Sequence, residues 1–539
     1  MEINSILHNR LRDCLIDCKS LLNPQYTSLM KCIEDCLHRL DEPIQLAVIG
    51  KISSSKSTLV NAILGGGNIV ATGCSELTYN VNWLTYGDES SEIEIFFKDG
   101  HREVKPRTEW TKLANRLEED ESELNEAQKQ YADSIKYIRV PHSCEILKYV
   151  NIIDTPGLYS YYRTDSQNTI NFLQKVKPDA VVMLFTKSVL AEDLETLRAF
   201  QGDEKKELFS LSPLNALGLL AKIDGNWKST EHDKNPYITA ERVIDSLIKE
   251  EPQLTQSFFS ILPITSLLGM SSFSVEEDIG LIRKLTSIEE DSLRHILKSK
   301  MHFLKDCESV EISREEKTSL YNKYGLYGIY ELVISLKKEP LVDAKDLSQH
   351  LKNISGFNRF MRLLISHFRD RSVLIKAQNS IQTIIDTCEK EINNTADTQG
   401  QTIAKKIQER LLVELMSIHE YKEWKYLMLI YEGKFKNVKE EMIEEYKTVC
   451  GEYGNAAINK LGLDNSSTIE DMREKANVRS SYWSQQYNIA RIRNPKEAEL
   501  CKVMSESYSI LGKRILKMAE KDKEAKRIIS EVEKFLYGK

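Results

Sequence analysis

The chain has 539 residues, 41% of them hydrophobic and 29% charged, with a net charge of −7 at pH 7 and a pI near 6.0. That length supports two or three domains with real cores, and the acidic balance argues against a nucleic-acid partner. The opening Met1-Glu2-Ile3-Asn4 lacks a basic n-region and a long apolar stretch, and apolar runs such as Tyr426–Tyr431 fall far short of the ~20 residues of a spanning helix. A cytoplasmic protein is expected, with any membrane contact peripheral, at the inner face.

Residues 1–41 read as two helices joined near Asn23-Pro24-Gln25. They carry four of the ten cysteines, Cys14 and Cys18 on one helix and Cys32 and Cys36 on the other. Four-residue spacing puts each pair on one helix face. In an antiparallel hairpin Cys18 lies opposite Cys32 and Cys14 opposite Cys36. Core thiols, a tetrahedral zinc site and two disulfides all fit this geometry, and a reducing cytosol disfavours the last.

Ile44 to Asn61 reads as an apolar strand, a phosphate-cradling loop and the start of a helix. From Gly50 the loop fits G-x-x-x-x-G-K-[ST], with Ser55 where the second Gly belongs. In such a loop the backbone N–H groups of Lys51, Ser53, Ser54, Ser55 and Thr58 and the helix N-terminus face a polyphosphate. Lys56 adds a full charge, and the Ser57 hydroxyl ligates Mg²⁺. Ser55 carries a strain cost if its position needs φ > 0.

A charged, helix-forming insertion, 105–132, follows the strand Glu92–Lys98 and reads as a solvated surface helix. Lys148–Ile153 is a strand ending in Asp154-Thr155-Pro156-Gly157, a D-x-x-G motif in which Asp154 holds Mg²⁺ through a water and the Gly157 N–H senses the γ-phosphate. Pro178–Phe185 is the next strand. Ala216–Leu220 leads into Ala221-Lys222-Ile223-Asp224, in the place of N-K-x-D. There the Asp accepts hydrogen bonds from guanine N1 and N2 while the Lys stem lies along the base. Phe258–Pro263 ends at Ile264-Thr265-Ser266-Leu267, where Ser266 stands for a backbone contact to the base. An ATPase follows only if Asp224 faces away from the base. A second insertion, 269–352, reads as a run of short amphipathic helices.

From Val373 to Lys539 the pattern is helical, with Pro495 as its one proline. Ile381, Ile384, Ile385, Cys388 and Ile392 keep the 3,4 spacing of a bundle helix. The stretch 451–467 lies near the middle and is expected to form the tip of a helical hairpin. The helices of 1–41 are expected to pack on this bundle.

These motifs resemble the bacterial dynamin-like GTPases, over residues 42 to 385. Gly50 to Ser57 is similar to the family's double-serine P-loop. Ala71-Thr72-Gly73-Cys74-Ser75-Glu76-Leu77-Thr78, before the strand Tyr79–Tyr86, is similar to its switch I, whose Mg²⁺-covering Thr falls on Thr78, with Thr72 as the alternative. Tyr324–Ile329 and Ser355-Gly356-Phe357, with Phe368, Arg371 and Lys376, resemble the helices that close the head and enter the stalk. The resemblance assigns Ser53 to a charge-compensating cation. It departs at Ile52, where eukaryotic dynamins carry a water-positioning Gln, so slow turnover or help from a second subunit is implied.

The expected architecture is an α/β P-loop GTPase domain over 42–372, mostly parallel with helices on both faces, and an all-α bundle stalk over 373–539 joined by 1–41. The resemblance implies GTP and Mg²⁺ as cofactors, Lys56, Ser53 and Thr78 as catalytic groups, and self-association through the heads. The stalk is open to a membrane, to a helical protein partner or to a scaffold role. The rival class is a nucleotide-binding switch or interaction protein with little or no turnover.

Overall fold

The computed structural model describes residues 2–51, 53–67, 69–70, 80–89, 92–110, 130–131, 134–156, 177–186, 214–231, 235–252, 254–305, 311–339, 341–394, 396–431, 433–435, 438–454, 456–464 and 466–537. Ile52, Thr72, Thr78, Gly157 and the body of the first insertion, 111–129, lie outside them. By their internal contacts the residues form two compact units, Glu42–Leu364 and Met1–Asp41 with Ile365–Lys539.

The first unit is built on a nine-stranded sheet: β1 Ile44–Gly50, β2 Asn82–Tyr86, β3 Ile93–Phe97, β4 Arg102–Lys105, β5 Ile135–His142, β6 Val150–Asp154, β7 Ala180–Phe185, β8 Ala216–Ala221 and β9 Ser260–Ile264. The spatial order is β4-β3-β5-β2-β6-β1-β7-β8-β9. The run from β6 through β1, β7 and β8 to β9 is parallel throughout. Its members β1, β6, β7 and β8 are buried at every residue, which is why they read as unbroken apolar runs. On the other side β2 pairs antiparallel with β6 and parallel with β5, and β3 pairs antiparallel with β5 and β4.

Two of these strands escape a reading of the sequence. β4 is Arg-Glu-Val-Lys at the sheet edge, alternately exposed, and its single apolar residue, Val104, faces solvent. β5 contains Pro141, which demotes a run in sequence terms; it stands near the strand end, opposite Thr85. β4 ends at Lys105, where the first insertion begins, and the 3₁₀ turn Arg107–Glu109 follows. The second insertion includes one long helix, Arg314–Lys338, beside five shorter ones between Ser266 and Ile354. It has its own core of Leu268, Ile282, Phe303, Tyr324, Leu332 and their neighbours.

In the second unit the helices Glu2–Ser20 and Thr27–Asp41 pack on Ser372–Ile392 and Thr398–Ser417. Lys376 Nζ donates to the Leu40 carbonyl at 2.8 Å, so a buried cation closes the end of the second N-terminal helix. Cys14, Cys18 and Cys36 are buried free thiols and Cys32 is half-buried. Cys36 donates to the Ser380 carbonyl and Cys32 accepts from the Thr387 hydroxyl, both at 3.6 Å. Among the described residues no group of three or more His, Cys, Asp or Glu is placed to hold a metal ion. No described helix is long and apolar enough to cross a membrane.

The stretch 451–467 lies between the helices Glu440–Val449 and Ile469–Arg493, which are joined where Arg479 and Trp483 donate to Glu445 at 2.7 and 2.9 Å. Arg371, at the start of the helix Ser372–Ile392, donates to the carbonyl of Cys450, and Tyr431 donates to Glu452 at 2.6 Å. Lys475 reaches the Gly462 carbonyl at 3.3 Å. The segment is thus tied along the bundle by polar contacts that apolar periodicity does not encode. Short breaks at Ile418 and Asn494 separate other helices of this unit.

Candidate functional site

The carboxyl ends of β1, β6, β8 and β9 bring together the residues singled out from the sequence, at the edge where open α/β sheets hold ligands. β1 ends at Gly50, whose φ of 151 and packing leave no room for a side chain: a Cβ would stand 2.4 Å from the Leu184 carbonyl oxygen. The loop continues through Lys51, and through Ser53 and Ser55 in left-handed conformations, φ 57 and 71. The helix Lys56–Ile63 then begins, with no side-chain cap from Ser55 and with Thr58 in its first turn. The sequence argument about Ser55 thus meets a real positive φ.

Lys56 curls back into the loop, its Nζ donating to the carbonyls of Gly50 at 3.0 Å and Lys51 at 3.1 Å. Ser57 Oγ donates to Asp154 Oδ2 at 3.2 Å. Asp154 is fully buried, and its Oδ1 has no hydrogen-bond partner among the described residues. The buried hydroxyl of Ser54 is in the same condition. Native interiors rarely leave such atoms unpaired, so these two oxygens require a ligand, an ion or water. The donor set of a hydroxyl and a carboxylate suits a hard divalent cation such as Mg²⁺, and the Lys56 ammonium suits phosphate. Asn61 exchanges two hydrogen bonds of 2.8 Å with the backbone of Val70, pinning the chain just before residues 71–79.

Burial pushes Lys56 down to about 8, against the pull of Asp154, and pushes the Asp154 carboxyl up to about 6, against Lys56 and Ser57. Protonating Asp154 removes a cation ligand as pH falls through 6. Deprotonating Lys56 removes a phosphate partner as pH rises through 8. Magnesium–nucleotide affinity is therefore expected to be highest between these values and to fall on both sides. Calorimetry across pH 5 to 9 checks this, and Asp154→Asn should erase the acid limb.

On the far side of β1, Lys222 follows β8 in a left-handed conformation, φ 59, and is exposed. Asp224 lies in the 3₁₀ turn Ile223–Asn226 and is partly buried. Burial raises its carboxyl, opposed by Thr265 and Lys222. Ser266 opens the helix Ser266–Ser271 and is buried, its hydroxyl unpartnered among the described residues. Thr265 and Gly325, which the sequence reading did not assign to the site, both border Asp224. A Gly inside an otherwise helical run was the available signal for the second.

Residues 46–209 match the model of the dynamin family. Over that segment the chain is similar to the dynamin-like GTPases. Over 440 residues it is 22% identical to the isoniazid-induced protein IniC of Mycobacterium tuberculosis, covering 81% of this chain and 83% of that one. Dynamin-like protein 2 of Campylobacter jejuni is 27% identical over 163 residues, 30% of this chain and 24% of the relative. Among solved structures, one from an oligomerised bacterial dynamin pair aligns with 98% of this chain and 79% of its own at 18% identity, with a TM-score of 0.29, too low to establish a common arrangement. The family match takes in Gly50 to Asp154 and stops before Lys222 and Asp224.

Ser55→Gly is expected to stabilise the fold by about 1 kcal/mol, because a left-handed non-Gly residue costs about that much and Ser55 makes no capping bond that would be lost. Thermal melts check this, and an unchanged midpoint would mean that the loop has adapted to Ser.

Proposed function

We propose that this chain is a dynamin-like GTPase that binds GTP with Mg²⁺ and hydrolyses it slowly, and that pairing of two GTP-bound heads raises the rate. The observation that carries the reading is the meeting of Lys56, Ser57 and Asp154 at one sheet edge, with a buried carboxylate oxygen and a buried hydroxyl lacking partners. In it the N–H groups of Gly50, Lys51, Ser53, Ser54, Ser55 and Thr58 cradle the phosphates, and Lys56 neutralises β,γ-charge. Ser57 and Thr78 ligate Mg²⁺, which Asp154 holds through a water. Gly157 senses the γ-phosphate, Ser53 supports the leaving side, and Lys222, Asp224 and Ser266 read guanine. The unit Glu42–Leu364 is the GTP-binding head, and the helical unit is a stalk acting in the cytoplasm at a membrane face or on a helical partner.

Ile52 supports the dependence on assembly, since an aliphatic side chain cannot orient a water and a second head must supply what is missing. Turnover per molecule should therefore rise with protein concentration, and light scattering should report a mass increase with GTP or a transition-state mimic. Specific activity that stays flat, with no change of mass, would reject this mechanism. The same assay with and without liposomes separates a membrane-stimulated enzyme from one that ignores lipid. Ser55 and Ala221 favour the second reading, a nucleotide switch with little turnover, which predicts tight GTP binding and negligible phosphate release under every condition.

A further inference from the structure

The helix Arg314–Lys338 is interrupted once, at Gly325, where φ is 61 and ψ −178. Essentially only glycine adopts that backbone conformation. The break is clamped from both sides. Before it, Tyr324 is fully buried and its hydroxyl donates to Asp278 Oδ2 at 2.7 Å, while Lys323 Nζ donates to the same oxygen at 2.8 Å. The Lys323 carbonyl also accepts from the Ser271 hydroxyl. After it comes Gly328, where a Cβ would stand 2.4 Å from Leu268 Cδ2, so a bare backbone lets this helix lie directly on Ser266–Ser271. That is the helix opened by Ser266 at the base end of the site.

At the break itself the backbone meets Asp224: a Cβ on Gly325 would lie 3.6 Å from Asp224 Oδ2. Trp227, just beyond Asp224, packs against Tyr327 and Tyr330 on the next turn, with ring centroids 5.9 and 5.2 Å away. A second left-handed residue, Lys222, lies on the other side of the same carboxylate in sequence. Two uncommon backbone conformations and a rigid aromatic wall thus converge on one partly buried carboxylate whose charge burial disfavours. Strain held in place by this much packing points to function rather than to accident.

We propose that Gly325 is a positioning residue for base selectivity: the interrupted helix forms a wall against which Asp224 is held so that both its oxygens face the N1–H and 2-amino edge of guanine. This rests on the guanine reading of Asp224 given above. An L-residue at 325 either straightens the helix or displaces the wall, and in both cases the carboxylate loses its aim while the phosphate loop stays untouched.

The test compares GDP with IDP, which lacks the 2-amino group, by calorimetry on the full chain. The unaltered protein should prefer GDP by about tenfold, the size of one hydrogen bond to a charged group. In Gly325→Ala the affinity for GDP, which uses both oxygens, should fall further than that for IDP, which offers only N1–H, so that the GDP preference is lost. Tyr324→Phe keeps the buried ring and removes the hydroxyl that clamps the break. It should lower the GDP preference severalfold, and it decides the matter if Gly325→Ala does not fold. A chain that prefers GDP over ADP but keeps its GDP-to-IDP ratio in both variants, or loses GDP and IDP equally, overturns the role of Gly325. A chain that never distinguishes GDP from ADP overturns the guanine reading instead.

Discussion

Lys56→Ala should remove GTP turnover and GTP-dependent association together. The ammonium is a buried positive charge inside the loop, held by two carbonyls at its mouth, where β,γ-phosphates would lie. Taking away one such donor to developing charge ordinarily costs roughly 10²–10³-fold in rate, which puts a slow enzyme below detection. On the proposed mechanism association falls with it, because pairing would require the bound triphosphate. The loss should not be one of folding. A lysine whose buried value is drawn down to about 8 carries at neutral pH a charge that the unfolded chain holds more comfortably. Since the unfolded state binds that proton more tightly, the penalty is constant below 8 and disappears only as pH rises toward the ordinary lysine value. Alanine removes the penalty, offsetting the packing lost with the side-chain stem. Thermal melts at pH 7 should be little changed while phosphate release and light scattering collapse. A variant that still pairs on GTP would separate association from nucleotide binding and refute the link.

Asp224→Asn should weaken GTP binding by roughly 10- to 150-fold, the range for losing hydrogen bonds to a charged group. It should at the same time admit xanthosine triphosphate, because an amide can donate to the 2-oxo group that a carboxylate repels. ATP, which never used the carboxylate, should bind as poorly as before. Competition calorimetry with the three triphosphates reads all of this at once. The assignment fails if the unaltered protein binds ATP as tightly as GTP. A uniform loss across the three nucleotides would mean that Asp224 supports the loop instead of reading the base.

How much of this was legible in the sequence depends on how local each feature is. The fully buried strands β1, β6, β7 and β8 declare themselves as apolar runs, and the motifs that follow them fall at the strand ends because a tight loop must carry its own residue types. β4 and β5 were invisible for the opposite reason. One is a polar edge strand that exists only because β3 offers it hydrogen bonds, and the other carries a proline near its end. In 451–467 the glycines and asparagines mark turns, but the contacts that tie the segment to Arg371 and Tyr431, distant in the chain, leave no such mark.

By itself, then, the sequence determined the fold class, a mostly parallel α/β unit with a helical unit after it, since hydrophobic period and motif order are properties of short stretches. Only the tertiary structure decided which buried oxygens go unpaired. Asp154 Oδ1 and the Ser54 hydroxyl have no partner among the described residues, a matter of what packs around them. It also decided that the insertion after β9 supplies a wall to Asp224, through a helix broken at Gly325 and bolted to Asp278 and Leu268. Contacts of that kind join residues far apart in the chain, and no local period or propensity carries them.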